Sequence, residues 1–374
     1  MRILFTGGGT GGHFYPIFAV IEALKNLVER ERILDLELFF MGPALDEEQT
    51  IRLKNAGVVP IPVAAGKLRR YAAAEQILDF LRMPLGIAQA IWNMFCIMPD
   101  VVFSKGGYGA FPAVAAAALF RIPLIIHESD AVPGIVNVLS RYAAYRIGIA
   151  FASAAPFFSK TKTALVGVPV RKRIIGGDKT SARAHFGISS ALPVVGIIGG
   201  SQGAEKLNEA VMGALRELTD GFEIIHQTGV TNLQKVEEES RVILEFAHHE
   251  RYHLFGFLDE DGLRAFSAVC DIIVSRAGAS AIYELAAWGI PAILVPLDSA
   301  AQNHQRKNAY EYAGAGAAFI IEETNLTPHI LLAEIRRLIA DKNAASRMRI
   351  GAQKFARLDS AALIAREILQ AGMH

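Results

Sequence analysis

The sequence predicts an α/β protein with two doubly wound parallel sheets, and three observations support this prediction. Apolar runs rich in valine and isoleucine alternate with helical patterns along the 374 residues. Most of these runs have no polar residues at alternate positions, which is typical of parallel strands covered by helices on both faces. A strand followed by a glycine-rich loop and a helix occurs near residue 7 and again near residue 199. Two such units, one domain length apart, predict two Rossmann-like halves that face each other across a central cleft.

Each half is predicted to contain six strands, because each holds six short apolar runs that end at turn or helix signals. The predicted strands lie at 3–6, 36–41, 101–104, 124–127, 146–149 and 163–165 in the first half, and at 194–198, 223–227, 253–255, 272–275, 292–295 and 318–321 in the second.

Helices are predicted after both glycine loops, at 17–27 behind Pro16 and at 207–218. Glycine and proline punctuate residues 166–170, so the domain boundary is placed there, with domains at 1–166 and 167–359. The final segment, 360–374, is expected to be a helix that crosses back onto the first domain.

Composition excludes several classes of protein. A net charge of +1 argues against nucleic acid as the main partner, and two cysteines cannot supply a disulfide framework or a zinc cluster. There is no run of about 18 apolar residues to predict a membrane-spanning helix. The first strand begins at once, without the basic and apolar segments of a signal peptide. A cytoplasmic enzyme is therefore expected.

The first glycine loop, residues 7–12, has the spacing of a dinucleotide-binding fingerprint and runs into His13. A NAD site also needs an acidic residue at the end of the second strand, but Gly42 and Pro43 stand there and Asp46 is too far along. A NAD site is therefore disfavoured. His13, with an ordinary pKa of about 6.5, suits a general base at neutral pH. The alternative is that it caps the helix or binds a loop carbonyl.

Two further turns in the first half carry polar residues. Residues 104–112 form a glycine-rich turn after a strand, and residues 127–130 (His-Glu-Ser-Asp) end the next strand. Both lie where open α/β sheets bind ligands. Ordinary loop chemistry is the simpler explanation for either turn taken alone.

The second half has its most specific motif at residues 275–284. A strand there enters a turn of small residues, and Glu284 stands in the first turns of the next helix. Its carboxylate can accept hydrogen bonds from a ribose diol while the turn amides face a diphosphate. The alternative role for Glu284 is a partner of the helix dipole. Ser201 can donate to a phosphate, and the amides and imidazole of 302–305 suit sugar hydroxyls.

Together these motifs resemble the MurG family of bacterial peptidoglycan glycosyltransferases over nearly the whole chain. The motifs that carry the resemblance are GGTGGHFYP, SKGGYGAFP, HESDAVPGIVN, GVPVR, GGSQGA, SRAGASAIYELAAWGIPAILVP and NHQRKNA. The resemblance implies a GT-B fold and inverting transfer of N-acetylglucosamine from UDP-N-acetylglucosamine (UDP-GlcNAc). The implied acceptor is the C4 hydroxyl of undecaprenyl-linked N-acetylmuramyl-pentapeptide, at the cytoplasmic face of the plasma membrane. Peptidoglycan synthesis of this kind serves cell shape and cell division.

The resemblance also implies roles for individual residues. His13 is the expected base, and the other expected substrate contacts are Thr10, Gly11, Gly12 and Asp130 on the acceptor and donor-sugar side, Arg171 and Ser201 at the diphosphate and nucleotide, the backbone of Leu258 at the uracil, Ala279, Ser280, Ala281, Ile282, Tyr283 and Glu284 at the diphosphate and ribose, and His304 and Gln305 at the donor sugar.

The chain departs from the family pattern at three positions. The family usually carries glutamine and asparagine where Ser129 and Asp130 stand, and asparagine at Val168. An asparagine can both donate to and accept from a sugar hydroxyl, whereas an ionised Asp130 can only accept. The turn at 257–262 is also about two residues longer than usual.

No cofactor and no obligatory metal are expected. Helix N-termini, together with Ser201 and Arg171, can stabilise the charge on the departing diphosphate. The single Asp-x-Asp motif, at 259–261, is expected to be solvated surface.

A basic and apolar stretch at residues 67–95 predicts contact with an anionic membrane surface. Lys67, Arg69, Arg70 and Arg82 flank many large apolar residues there. The alternative is that the apolar face belongs to the core. Three other functions remain open at this point: a UDP-sugar 2-epimerase, another UDP-sugar glycosyltransferase, and a UDP-sugar-binding module without activity.

Overall fold

A computed structural model describes residues 1–8, 11–32, 35–66, 73–200, 203–245 and 248–373, excluding the side chains of residues 11, 13, 73–81 and 301. The chain divides into two compact units. The first comprises residues 1–170 and 357–374, and the second comprises residues 171–356.

The strands and helices alternate along both units. In the first unit they are β1 (Arg2–Thr6), α1 (Gly11–Glu31), β2 (Glu37–Gly42), α2 (Glu47–Asn55), β3 (Val58–Pro62), α3 (Ala73–Ile97), β4 (Val101–Ser104), α4 (Phe111–Leu119), β5 (Leu124–Glu128), α5 (Ile135–Ser140), β6 (Arg146–Ile149) and β7 (Thr163–Leu165). In the second they are α6 (Lys179–His185), β8 (Val194–Ile198), α7 (Glu205–Gly213), α8 (Leu215–Gly221), β9 (Glu223–Gln227), α9 (Leu233–Ile243), β10 (Tyr252–Phe255), α10 (Glu260–Val269), β11 (Ile272–Arg276), α11 (Ala279–Trp288), β12 (Ala292–Val295), α12 (His304–Gly314), β13 (Ala318–Ile320), α13 (Pro328–Ala340) and α14 (Lys342–Phe355). The chain then returns to the first unit as α15 (Ser360–Gly372).

Each unit is built on one parallel sheet. Within the described residues, the strand order is β3-β2-β1-β4-β5-β6-β7 in the first unit and β10-β9-β8-β11-β12-β13 in the second. The order therefore reverses between β1 and β4, and again between β8 and β11. Open α/β sheets bind ligands at the carboxyl ends of the strands beside such a reversal. The loops after β1, β4, β8 and β11 are thus the expected ligand-binding loops.

The central strand of the first sheet shows why the fold is doubly wound. Ile3, Leu4 and Phe5 in β1 are all fully buried, with Ile3 and Phe5 in one core cluster and Leu4 in another. The first cluster also contains residues of α1 and α15, and the second contains residues of α4. A strand covered on both faces has no need of polar alternation, so the predicted α/β class with two doubly wound units is confirmed.

All twelve predicted strands are present, each within one residue of its predicted ends. The structure adds β3, which the sequence analysis missed because Pro60 and Pro62 interrupt its apolar pattern. In the described residues β3 is the outermost strand beyond β2, and an edge strand tolerates proline.

Two helices differ from their predicted bounds. Helix α1 begins at Gly11 and contains Pro16, rather than starting behind it; a proline near a helix start removes only one backbone hydrogen bond. The helix predicted at 207–218 is two helices, because Ala214 leaves the helical region with φ −108° and ψ 3°. Asp46, which stood too far along for a ribose contact, caps α2 by accepting from the Gln49 amide at 2.7 Å.

Candidate active site

The loop after β1 leads directly into α1, whose first residues are Gly11, Gly12 and His13. The backbone of these residues therefore lies in the first turn of a helix, where the partial charge is positive and favours anions. Thr10 and the side chain of His13 lie outside the described part of the chain. The role of His13 as a base stays a prediction.

A buried lysine follows β4 on the other side of the strand reversal. Lys105 is 1% exposed, and its Nζ lies 2.9 Å from Nδ1 of His127 and donates to Oγ of Ser129. Nε2 of His127 lies 2.7 Å from the carbonyl oxygen of Gly167. Because a carbonyl can only accept, Nε2 carries the proton and Nδ1 accepts from Lys105.

Glu128, the last residue of β5, is fixed by three donors. Its carboxylate accepts from the backbone amides of Asp130 and Gly134, each at 3.0 Å, and from Nδ2 of Asn137 at 2.9 Å. Burial raises the pKa of Glu128, and the neighbouring Asp130 charge raises it further, while these hydrogen bonds oppose the rise. The backbone of Gly106 packs against the side chain of Asn137. A Cβ at Gly106 would be 2.6 Å from Asn137 Nδ2, so there is no room for a side chain at that position.

In the second unit, Arg171 joins two carboxylates. Its Nη2 donates to Oε1 of Glu284 at 3.1 Å, and its Nη1 lies 3.5 Å from Oε1 of Glu260. The side chain of Arg171 is 8% exposed and those of both glutamates are 21% exposed. Burial raises the pKa of Glu284, and the guanidinium of Arg171 opposes that rise. The structure therefore brings together Arg171 and Glu284, two residues predicted to contact the same nucleotide diphosphate and ribose.

Both aspartates of the Asp-x-Asp motif are exposed, as predicted, but Glu260 between them is not. Asp259 caps α10 by accepting from the Gly262 amide at 2.8 Å, and Glu260 is largely buried against Arg171. An acidic cap and first turn are favourable at the positive end of a helix. The sequence shows the cap pattern, but it does not show that Arg171 lies beside it.

Helix α11 presents its N-terminus at the carboxyl end of β11. Its N-cap is Gly278, in extended conformation, and the helix starts at Ala279. The backbone of Ala279, Ser280 and Ala281 lies in the first turn, which is a ready anion site. Ile282 and Tyr283 are buried, and the ring of Tyr283 lies 5.2 Å from that of Phe355. Their predicted substrate contacts stay predictions.

Two predicted contact residues already take part in hydrogen bonds between a backbone amide and a glutamine side chain. The amide of Leu258 donates to Oε1 of Gln227 at 3.1 Å, and the amide of Leu297 donates to Oε1 of Gln305 at 3.1 Å. These bonds fix the chain after β10 and after β12, at the carboxyl edge of the sheet. Ser201 lies outside the described residues.

The segment before α12 adopts an uncommon backbone conformation. Gln302 and Asn303 both lie in the left-handed region, with φ of 54° and 55°, and His304 and Gln305 begin the helix directly after them. Asparagine tolerates this conformation, but for Gln302 it is strained, and strained backbone often occurs at ligand sites. The sugar contacts predicted for His304 and Gln305 stay predictions.

Within the ranges that the structure describes, no group of three or more histidine, cysteine, aspartate or glutamate side chains is arranged to hold a metal ion.

A cavity of about 560 Å³ in the second unit is lined by Pro193, Ile272 and Pro291, which precede or begin β8, β11 and β12. It lies at the amino ends of these strands and is therefore separate from the candidate site at their carboxyl ends.

Comparison with known proteins decides the family. Residues 3–149 match the glycosyltransferase family 28 N-terminal domain, and residues 194–364 match the family 28 C-terminal domain. A UDP-N-acetylglucosamine–N-acetylmuramyl-(pentapeptide) pyrophosphoryl-undecaprenol N-acetylglucosamine transferase from Shouchella clausii is 34% identical over 338 residues, 90% of each chain. The transferase of the same name from Legionella pneumophila is 33% identical over 357 residues, 91% of this chain and 90% of the other. This chain belongs to the MurG family.

Solved structures agree with this MurG-family fold. MurG from Acinetobacter baumannii has a TM-score of 0.73 at 24% identity, covering 99% of both chains. A UDP-GlcNAc 2-epimerase from Neisseria meningitidis has a TM-score of 0.67 at 14% identity, covering 99% of this chain and 100% of the other. At these identities the likeness concerns the fold alone, and the predicted GT-B fold is confirmed.

The turns that contain Lys105, His127 and Glu128 were expected at the ligand-binding edge of the sheet, but no role was predicted for these three residues. The sequence did contain a signal that these residues are buried. Each follows an apolar run, at 101–103 or 124–126, by one or two residues, and residues at the end of a buried parallel strand are often buried too. Burial of a lysine or glutamate is rare unless it is paired, which points to a specific role.

Proposed function

We propose that this protein transfers N-acetylglucosamine from UDP-GlcNAc to undecaprenyl-linked N-acetylmuramyl-pentapeptide, with inversion at the anomeric carbon. The observation that carries the proposal is identity of 33–34% over about nine tenths of the chain to transferases named for this reaction. Both of the family 28 domains are present in the expected order.

The reaction is a single displacement. The acceptor C4 hydroxyl attacks the anomeric carbon, the bond to the diphosphate breaks, and UDP leaves with the electron pair. We assign removal of the hydroxyl proton to His13 at the start of α1. We assign stabilisation of the negative charge that develops on the diphosphate to the N-terminus of α11, Arg171 and Ser201.

A direct test incubates the full chain with UDP-GlcNAc and a lipid-linked N-acetylmuramyl acceptor. We expect acceptor-dependent release of UDP and formation of a disaccharide-lipid. Conversion of UDP-GlcNAc to its C2 epimer without acceptor would favour the epimerase function. Nucleotide binding without either product would favour a binding module.

Replacement of Glu284 by alanine is expected to weaken UDP binding by about 1.5–3 kcal/mol, the usual contribution of a hydrogen bond to a charged group. The protein should stay folded, because Arg171 keeps Glu260 as a partner. Calorimetric titration with UDP measures the effect, with Glu217→Ala on the exposed face of α8 as the control. Unchanged UDP affinity would remove Glu284 from the nucleotide site.

We also propose that the enzyme binds the membrane surface at the region around α3, because its acceptor is anchored in lipid. Leu85, Trp92 and Phe95 are 54%, 68% and 59% exposed on one face of α3, near Arg82 at that end. The opposite face buries Gly86, Ala90 and Met94 in the first unit. An apolar exposed face beside basic residues suits an anionic interface. Lys67, Arg69 and Arg70 lie outside the described residues.

The localisation that follows is peripheral, at the cytoplasmic face of the plasma membrane. None of the described helices combines the length and apolar character needed to span a bilayer.

The membrane proposal predicts an effect of the four basic residues. Replacing Lys67, Arg69, Arg70 and Arg82 by glutamine is expected to reduce co-sedimentation with anionic vesicles, since each cation near the surface contributes about 1 kcal/mol. Binding of the unmodified protein should fall as salt rises. Activity on a long-chain acceptor should fall, while activity on a short, soluble acceptor survives. Equal losses on both acceptors would mean that the stretch belongs to the fold or the active site.

A further inference from the structure

The buried cluster after β4 and β5 contains a cation that the proposed reaction does not yet use. Lys105 has its ammonium in contact with His127 and Ser129. Its backbone amide also donates to the carbonyl of Thr6, the last residue of β1, at 2.9 Å. The backbone of Lys105 is therefore bound to β1 and its side chain to β5 and the residue after it. This places Lys105 at the strand reversal, where open α/β sheets bind ligands.

Two carboxylates interact with the ammonium of Lys105. Among the described residues, the titratable groups that interact with it are His127 and Glu128 on β5 and Asp130 directly after β5. A buried ammonium is costly unless anions compensate it. Conversely, loss of Lys105 would remove a cation that attracts both carboxylates, Glu128 and Asp130, whose mutual repulsion already raises the pKa of Glu128.

These interactions explain the unusual residues at 129 and 130. Ser129 accepts from Lys105, so its hydroxyl proton is directed to another acceptor. Asp130 is half-buried, and its charge interacts favourably with the ammonium of Lys105, whose position is fixed by His127 and Ser129. A carboxylate can thus take the position where the MurG family usually has a neutral amide.

We propose that Lys105 is a positioning residue for the donor sugar: its ammonium orients Ser129 and balances Asp130, so that the Asp130 carboxylate can accept from a hydroxyl of the N-acetylglucosamine. The inference rests on the proposed function, because it concerns the sugar of the same donor. Lys105 itself acts through Asp130 and Ser129 and does not contact the reacting atoms.

Comparison of two ligands tests the inference independently of transfer. UDP-GlcNAc carries the sugar and UDP does not, so calorimetric titration with both separates the sugar contact from nucleotide binding. We expect Lys105→Met to weaken UDP-GlcNAc binding roughly tenfold or more, the range for a lost hydrogen bond to a charged group. UDP affinity should be unchanged. Lys160→Met, at an exposed lysine of the same unit, is the control.

A double variant separates positioning from a general structural role. Asp130→Asn in the Lys105→Met background removes the uncompensated carboxylate and supplies a neutral amide, so it should recover most of the UDP-GlcNAc affinity. Lys105→Arg keeps the charge and should lose less than Lys105→Met. Independent, multiplicative losses from Lys105→Met and Asp130→Asn would overturn the inference, and so would equal losses of UDP and UDP-GlcNAc affinity.

The pH dependence gives a second readout. Burial lowers the pKa of Lys105 to about 8, with Glu128 and Asp130 opposing. The ammonium is therefore lost as pH rises through 8, and UDP-GlcNAc affinity should fall over that range relative to UDP affinity. Lys105→Met should abolish this difference, and an unchanged difference in the variant would overturn the inference. If the unmodified protein shows the sugar contact but no transfer, the proposed function fails while the inference on Lys105 stands.

Discussion

Replacing His13 by alanine is expected to lower the rate of sugar transfer about 10²–10⁴-fold while leaving UDP affinity nearly intact. General-base catalysis contributes about that factor, and the nucleotide is expected to depend on Arg171, Glu284 and the N-terminus of α11. The measurement is the rate of UDP release at saturating donor and acceptor, beside calorimetric titration with UDP.

The control for His13 is His329→Ala, which removes an exposed imidazole from α13. Its rate should match that of the unmodified protein. His13→Ala should also lose the acidic limb of the rate profile, where protonation of the base stops catalysis. An unaltered rate for His13→Ala with saturating acceptor would show that His13 only shapes the loop before α1.

Replacing Arg171 by methionine is expected to destabilise the second unit by about 3 kcal/mol at pH 7. The change leaves Glu284 and Glu260 without the guanidinium that lies 3.1 and 3.5 Å from them. Losing one partner of a buried ion pair costs about 3–5 kcal/mol, and the low end applies because both carboxylates keep 21% exposure. Urea unfolding measures the free energy, with the exposed Arg216→Met as the control.

The loss in Arg171→Met should shrink as the pH falls. Burial raises the pKa of Glu284 in the folded state and Arg171 opposes the rise, so the variant raises this pKa further. A carboxyl group whose pKa is higher in the folded protein than in the unfolded chain stabilises the fold when it is protonated. The free energy of unfolding of the variant should therefore fall as the pH rises above about 4.5, the ordinary pKa of Glu284. Unfolding at pH 5 and pH 7 should show this difference, and Glu284→Gln should recover stability in the same background. A loss that is independent of both pH and Glu284 would contradict this account.

The sequence predicts the strands well because they are buried on both faces. Val101–Ser104 and Val194–Ile198, for example, are apolar almost throughout and have their predicted bounds. The apolar pattern of such a strand depends only on its burial. It can therefore be recognised without knowing which strands lie next to it in the sheet. Edge strands are harder to predict, because one side of the ladder is open and residues such as Pro60 are allowed.

The candidate site is less predictable, since it depends on which distant residues meet. The sequence separately indicates Arg171 and Glu284 through motifs, but their contact joins residues 113 positions apart. The Asp-x-Asp motif was expected on a solvated surface because it lies in a loop and does not flank the end of an apolar strand. Asp259 and Asp261 are exposed, but Glu260 lies beside Arg171. Lys105 resembles an ordinary loop residue until the structure shows that its ammonium is enclosed by His127 and Ser129.

The prolines of β3 have a consequence for the behaviour of the protein in solution. The amide of Val63 donates to Gly42 at the end of β2, and alternate residues of a strand direct their backbone groups to the same side. Pro60 and Pro62 therefore occupy positions that point away from β2, where a proline offers no N–H. The outer edge of β3 therefore lacks two backbone N–H donors, and a strand from another molecule cannot form a regular hydrogen-bond ladder with it. A chain that is 52% hydrophobic thus carries, at the β3 edge of its first sheet as described, a built-in barrier to edge-to-edge aggregation.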